Sequence, residues 1–176
     1  KVAASLHGKH LSFAAEQEIR LRDSYGIYYS HSDFGIYNNS LDNISFSLNF
    51  REVFETRDGW FVEHRPHFNV GYKDTFGNLT ISNRFRVELR TYEIYDTSMR
   101  YRNKLEFGLK VKKFFFFVND EVFFTHDDVP RNRNSLGMTH KTTKSLKLGL
   151  SYLLQQNFKD VLILNHATYV QISLKI

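Results

Sequence analysis

The sequence predicts an all-β fold: an antiparallel up-and-down transmembrane β-barrel of about 10–12 strands, with short turns on one side and longer loops on the other. Three observations predict it. The stretches of regular sequence have two faces, they are long, and the connections between them alternate in length. The two-facedness is clearest between Leu79 and Lys110. Leu79, Ile81, Phe85, Val87 and Leu89 share one parity, interrupted by Asn83, and Thr80, Ser82, Arg84, Arg86, Glu88 and Arg90 share the other. The returning arm sets Tyr101, Leu105, Phe107 and Leu109 against Arg100, Arg102, Lys104, Glu106, Gly108 and Lys110. Successive side chains of a strand point to opposite faces, so each arm has one apolar and one charged face. Soluble strands run about five or six residues, whereas a strand crossing a bilayer needs roughly nine to eleven.

Val2 to His7 is a short alternating piece closed by the turn signal Gly8-Lys9. Leu11 to Arg22 puts Leu11, Phe13, Ala15, Ile19 and Leu21 against Ser12, Ala14, Glu16, Glu18, Arg20 and Arg22. Ile27 to Tyr37 sets Tyr28, Phe34 and Ile36 on its apolar side, and residues 38–43 read as a turn by composition. Ile44 to Glu55 alternates Ile44, Phe46, Leu48 and Phe50 with Ser45, Ser47, Asn49 and Arg51. After the loop Thr56-Arg57-Asp58-Gly59, Trp60 to Lys73 places Val62, Phe68, Val70 and Tyr72 outward and Glu63, Arg65, His67, Asn69 and Gly71 inward. Pro66 removes one ladder donor there, which predicts a local bulge.

Phe114 to Phe124 is aromatic on both parities; Asn119 and Glu121 set its inner face, together with Phe115, Phe117 and Phe123. Thr125 to Arg133 reads as the longest polar loop. Asn134 to His140, Ser145 to Leu154 and Leu162 to Ile176 follow, the last alternating Val170, Ile172, Leu174 and Ile176 with Gln171, Ser173 and Lys175. Connections near residues 8, 40, 76, 112 and 142 are tight; those near 24, 57, 95, 129 and 157 are longer or more polar. This is the outer-membrane asymmetry. Eleven candidate strands emerge, against the even number usual in bacterial barrels. Either a first strand precedes Lys1, or Val2–His7 is not a full member of the wall.

Composition narrows the function classes. Mean hydropathy is −0.43, the value of a soluble protein, but a barrel mixes lipid-facing and lumen-facing residues one for one. No apolar run reaches the roughly 18 residues of a membrane helix. Absence of cysteine excludes disulfide and thiolate chemistry. Only two prolines occur, as a sheet-bound backbone requires. The net charge is +5, yet the basic residues alternate with apolar ones instead of clustering, so nucleic acid is not the expected partner. No signal peptide is visible at Lys1, as expected if an exported chain is seen in its mature form, in whole or part.

The chain resembles the family of predicted bacterial outer-membrane β-barrels known as domain of unknown function 2490. The resemblance rests on Glu16-Gln17-Glu18-Ile19-Arg20, Asn49-Phe50-Arg51, Gly59-Trp60, His64-Arg65 and Arg84-Phe85-Arg86. It continues in Arg102-Asn103-Lys104-Leu105-Glu106, Glu121-Val122-Phe123 and Leu148-Gly149-Leu150-Ser151-Tyr152. One departure is at the C-terminus, where such barrels often carry an aromatic residue and this chain has Ile176. The resemblance implies a single outer-membrane barrel over residues 1–176 rather than a particular activity. That location implies contact with outer-membrane lipid or lipopolysaccharide, and a closed lumen would leave protein partners to dock at loops, rims or barrel wall.

The candidate functional constellation is the charged face: Glu16, Glu18, Arg20, Arg51, Glu63, Arg65, Arg84, Arg86, Glu88, Arg90, Arg100, Arg102, Lys104, Glu106 and Glu121. Buried charges must be paired or hydrated. The favoured expectation is an Arg–Glu network that braces and plugs a narrow lumen, leaving a structural or partner-binding role. The alternative is a narrow pore whose basic lining favours anions. A hydrolase is a third class. His64 and His67 beside Glu63, and His126-Asp127-Asp128 in a loop, offer general-base chemistry, but no Gly-x-Ser-x-Gly element or zinc-type spacing accompanies them. The sequence therefore predicts no enzyme, no metal and no cofactor. Tyr28, Trp60, Tyr72, Tyr92, Tyr95, Tyr101 and Tyr152 read as interfacial girdles. A lipocalin-like soluble barrel would reverse the faces, with aromatics inside and arginines outside.

Overall fold

A computed structural model describes residues 1–8, 10–22, 26–38, 40–56, 60–92, 96–125, 131–158 and 162–175. Eleven strands among them form one closed barrel: β1 (Val2–His7), β2 (Leu11–Arg22), β3 (Gly26–Asn38), β4 (Ile44–Thr56), β5 (Trp60–Phe76), β6 (Leu79–Tyr92), β7 (Ser98–Val111), β8 (Phe114–Thr125), β9 (Arg131–Lys141), β10 (Leu146–Phe158) and β11 (Leu162–Lys175). Each strand pairs antiparallel with its neighbours in sequence. The ring closes where β1 meets β11 in parallel, from Val2 beside Ile172 to Ser5 beside Lys175. The short first piece is thus a member of the wall, paired along its whole length with β2. That parallel joint is what lets eleven strands close.

Strand formation follows the alternation. Phe34, Leu48, Phe68, Phe107, Leu136 and Val170 stand on the outside with large exposed areas, 64% for Leu48, Leu136 and Val170. Their neighbours of opposite parity, including Ser47, Asn49, Glu63, Arg65, Arg86, Glu88 and Arg102, are buried inside. Only two hydrophobic side chains are fully buried among the described residues, Val53 and Phe123. The interior is therefore polar and the exterior apolar, the arrangement of a barrel whose solvent is hydrocarbon and not of a lipocalin-like one. The inner placement of Asn119, Glu121 and Phe123 on β8 follows the sequence expectation.

The two-residue turns at 77–78 and 112–113 each begin in the left-handed region, with φ of +60° at Gly77 and +53° at Lys112. Glycine adopts that conformation freely, whereas Lys112 adopts it against the steric cost of its Cβ. The longer loops fall largely on residues 23–25, 57–59, 93–95, 126–130 and 159–161, outside the described residues.

Three expectations need correction. Pro66 produces no bulge: pairing of β5 with β6 stops between His64–Thr91 and His67–Glu88 and resumes in the same register. The missing N–H removes ladder bonds on that edge without inserting a residue. A register shift occurs instead between Arg20 and Leu21 of β2, where Arg20 faces Tyr29 and Leu21 faces Ile27. Finally, β9 starts at Arg131 and β10 extends to Phe158, so Arg131 and Arg133 belong to the wall rather than to a loop.

The sidedness has a direct consequence. Introducing Asp at Phe46, Leu48, Val87 or Leu105 should block folding into lipid far more than Asn at Ser45 or Ser47. An Arg or Lys at the lipid-facing midplane costs roughly 2–4 kcal/mol and Asp somewhat less. Folding yields in vesicles, read from the gel shift between boiled and unboiled samples, check this. Equal yields for the two sets would show that the faces are assigned the wrong way round.

Candidate functional site

The luminal face is a set of ion-paired clusters stacked along the barrel. Glu88 on β6 is completely buried at 0% exposure. Three arginines converge on it: Arg102 at 2.7 Å, Arg86 at 3.3 Å and Arg100 at 2.5 Å. Register explains the convergence, because Glu88 lies opposite Arg100 on β7 and Arg86 opposite Arg102. Glu121 on β8 accepts from Arg102 Nη2 through both of its oxygens at 2.7 Å and from Arg84 at 2.7 Å. Glu63 on β5 accepts from Arg65 at 2.8 Å and from Arg90 at 2.7 Å. Charge-assisted forks of this kind are the strong class of protein hydrogen bonds.

A second group lies on β2 to β5. Arg51 Nε donates to Asp33 at 2.7 Å, and Arg20 Nε donates to Glu18 at 2.6 Å. Glu16 holds Lys1 at 2.8 Å and lies 3.0 Å from His31 Nε2. Neutral amides bridge the groups: Asn69 donates to Ser47 at 2.6 Å and to Asn49 at 3.0 Å, and Asn49 donates to Asp33 at 3.0 Å. Lys104 and Glu106 pair at 2.6 Å nearer the turn end and are partly exposed. All fifteen residues singled out in the sequence therefore lie on the luminal parity. Ligand atoms of Glu16, Glu18 and His31 come within 4.8 Å of one another. Lys1 and Arg20 already neutralise the two carboxylates, so the donor set does not suit a metal ion.

These clusters do not fill the interior. Toward the loop end is a chamber of about 790 Å³, whose wall includes Arg65, Arg90, Arg100, Arg131, Tyr28, Tyr29 and Tyr92, with Glu55 the one acidic residue among the described ones. A second chamber of about 350 Å³ lies below it, lined by Glu16, Glu18, Asp33, Arg84, Lys104 and Glu121 among others. Six residues line both: Arg20, Arg51, Arg102, Arg133, Leu153 and Tyr169. Among the described residues, the neck between the chambers thus carries four guanidinium groups and no carboxylate. The carboxylates Glu16, Glu18, Asp33 and Glu121 line the smaller chamber beside their cationic partners, so the excess of positive charge is confined to the larger chamber and to the residues the two share.

Phe123 holds much of this cationic array together. Its ring lies 4.5 Å from the Arg102 guanidinium, 4.7 Å from Arg133, 5.4 Å from Arg100 and 6.0 Å from Arg131. The negative face of an aromatic ring offsets repulsion among such charges. Arg20 stacks similarly on Tyr29 at 4.3 Å and on Tyr169 at 5.6 Å.

The other sequence candidates are dispersed. Glu63 and His67 point inward, whereas His64 is on the outer face, 3.6 Å from Glu52. Glu63 is already bound to two arginines, so residues 63, 64 and 67 do not form one general-base group. His126-Asp127-Asp128 lies outside the described residues, as do Tyr95 and Ile176. Tyr72, Tyr101 and Tyr152 are outward and exposed, as a girdle requires. Tyr92 and Tyr28 instead line the loop-end chamber. Tyr92 has the inward parity of β6, and Tyr28 follows the register shift in the β2–β3 ladder. Sequence reasoning passed over Tyr29, His31, Asp33, Tyr37, Arg131, Arg133, Gln155 and Tyr169. For β3 the signal was available, because Tyr29, His31, Asp33 and Tyr37 alternate with Phe34 and Ile36.

Residues 2–161 match the family described as "Protein of unknown function (DUF2490)". The chain belongs to this family. Among solved structures, this DUF2490 member is similar to "NanC porin", at 11% identity and a TM-score of 0.57, covering 99% of this chain and 97% of that one. It is also similar to the "Anion-selective porin from Comamonas acidovorans", at 14% identity and a TM-score of 0.50, covering 96% of this chain. The chain spans about half, 52%, of the length of that porin. At these identities the likeness concerns the fold. No curated protein matches the sequence.

Proposed function

We propose that this DUF2490 barrel is a narrow bacterial outer-membrane pore that favours anions. The observation that carries the reading is the neck: among the described residues, four guanidinium groups and no carboxylate line both chambers. A ring of one sign in a low-dielectric wall attracts counterions and repels co-ions. The solved structures similar in fold include one titled an anion-selective porin, which agrees with this reading. The apolar exterior is then the surface that takes outer-membrane lipid or lipopolysaccharide, and the protein stays with detergent-extracted membranes on fractionation. Recovery in the soluble periplasm without detergent would end the membrane placement. Reconstituted in a planar bilayer across a potassium chloride gradient, the purified protein should carry a steady current whose reversal potential favours chloride. Absence of current would overturn the pore reading, and potassium preference would overturn its anion selectivity.

A second reading is a lumen closed by its own ion pairs, with function carried by rims and wall. The cluster around Glu88 favours it, because three arginines drawn onto one carboxylate narrow the interior at that level. The same bilayer experiment separates the two, since a closed lumen passes no current.

A further inference from the structure

Within the proposed anion pore, on which this inference rests, we infer that β9 and β10 form a binding site for solutes carrying two oxyanion groups. Arg131 Nε donates to Asn157 Oδ1 at 2.6 Å, and Arg133 Nε donates to Gln155 Oε1 at 2.6 Å. The two pairs are consecutive rungs in register, Arg131 opposite Asn157 and Arg133 opposite Gln155. Gln155 Nε2 donates to Asn157 Oδ1 at 3.3 Å, which ties the rungs together.

Two features in combination set these arginines apart from those of β5 to β7, of which Arg86 also bonds a neutral amide, Asn69, but pairs with Glu88 as well. Each is fixed through its inner nitrogen by a neutral amide, so the charge is not spent and the terminal Nη fork is available. Among the described residues, no carboxylate lies within 4 Å of either guanidinium. Arg133 stands directly opposite Glu121 on β8, but Glu121 is engaged by Arg102 and Arg84. Both guanidiniums line the loop-end chamber of about 790 Å³, large enough for a small organic anion. A planar guanidinium fork matches a carboxylate or phosphate oxygen pair. Residues two apart on one strand face are about 7 Å apart, so two forks set this way accept two oxyanion groups at that separation. The Phe123 ring lies 6.0 Å from the Arg131 guanidinium and 4.7 Å from that of Arg133, supporting both.

Adipate is the probe, with acetate as the single-charge control. Chloride current through the full chain in a planar bilayer is measured as each acid is added. Adipate should halve the current at a concentration about tenfold below acetate, the gain of one further charge-assisted fork. Arg131→Lys keeps the charge but loses the fork and its Asn157 anchor, and the difference should shrink to less than about threefold. Equal block by the two acids in the unaltered protein, or a full adipate preference retained in Arg131→Lys, would overturn the site. If the protein passes no chloride, the pore reading fails by itself. Calorimetric titration of the detergent-folded barrel then decides the site independently: adipate binding about tenfold tighter than acetate supports it, and equal affinities overturn it.

Discussion

Replacing Glu88 by Gln should destabilise the barrel by about 3–5 kcal/mol, the range for removing one partner of a buried ion pair. Glu88 has no exposed surface and is the shared acceptor for Arg86, Arg100 and Arg102. The amide preserves shape and still offers one acceptor oxygen. It removes the negative charge, and three guanidiniums then face one another in an interior that screens them poorly. Glu121 cannot compensate, because Arg102 and Arg84 already occupy it. The matched control is Glu106→Gln. Glu106 is partly exposed and pairs with Lys104 at 2.6 Å, so its loss should cost no more than about 1 kcal/mol. Urea unfolding from detergent micelles or vesicles, followed by intrinsic fluorescence and gel mobility, reads both variants on one scale. Equal midpoints for the two would show that the Glu88 cluster does not hold the wall.

The wall was legible in the sequence and the passage was not, for a physical reason. Parity along a strand assigns each residue to the inner or outer face, because the period is two and a slip of one residue would invert every side chain. Ile44 to Arg51 illustrates it: four apolar residues outside and four polar residues inside follow from alternation alone. Parity says nothing about height or about which inward charges meet. Glu88 lies between Arg86 and Arg90 in sequence, yet Arg90 turns to Glu63 on β5, and Glu88 takes Arg100 and Arg102 from β7. Such partners come from the stagger of neighbouring strands, a property of the closed barrel. Interleaved signs in the sequence suggest an Arg–Glu brace that plugs the lumen. The structure pairs the signs in clusters yet leaves two chambers, the smaller lined by carboxylates and guanidiniums alike and the larger mainly by guanidiniums and tyrosines. Arg131 and Arg133 were missed because Pro130 and the acidic stretch before it read as loop. The alternation that marks them, Arg131, Arg133 and Ser135 against Leu136 and Met138, becomes visible only once the strand is extended backward.

Reversing the charge at Arg133 should turn the pore from anion-favouring to cation-favouring. Arg133 is one of the four neck arginines, and of these it is bonded to a neutral amide, Gln155, rather than to a carboxylate. Its removal therefore leaves no acid unpaired, whereas loss of Arg51 would strand Asp33 and loss of Arg20 would strand Glu18. A unit charge about 4 Å from a passing ion contributes on the order of 1 kcal/mol even in a water-like dielectric. Arg133→Gln should thus disfavour chloride and favour potassium by about fivefold each, lowering the chloride-to-potassium permeability ratio by about thirtyfold. Arg133→Glu changes the neck by two charges, and the ratio should fall roughly a thousandfold. The new carboxylate will also draw Arg102 and Arg20 toward itself, which removes two further guanidiniums from the passing ion. Reversal potentials in a potassium chloride gradient measure the ratio for each variant, and a gel shift on boiling confirms that each is closed. High salt should compress all the differences, since screening acts over about 10 Å at 0.1 M and about 3 Å at 1 M. A ratio unmoved by Arg133→Glu in a folded, conducting protein would place the selectivity elsewhere than at this neck.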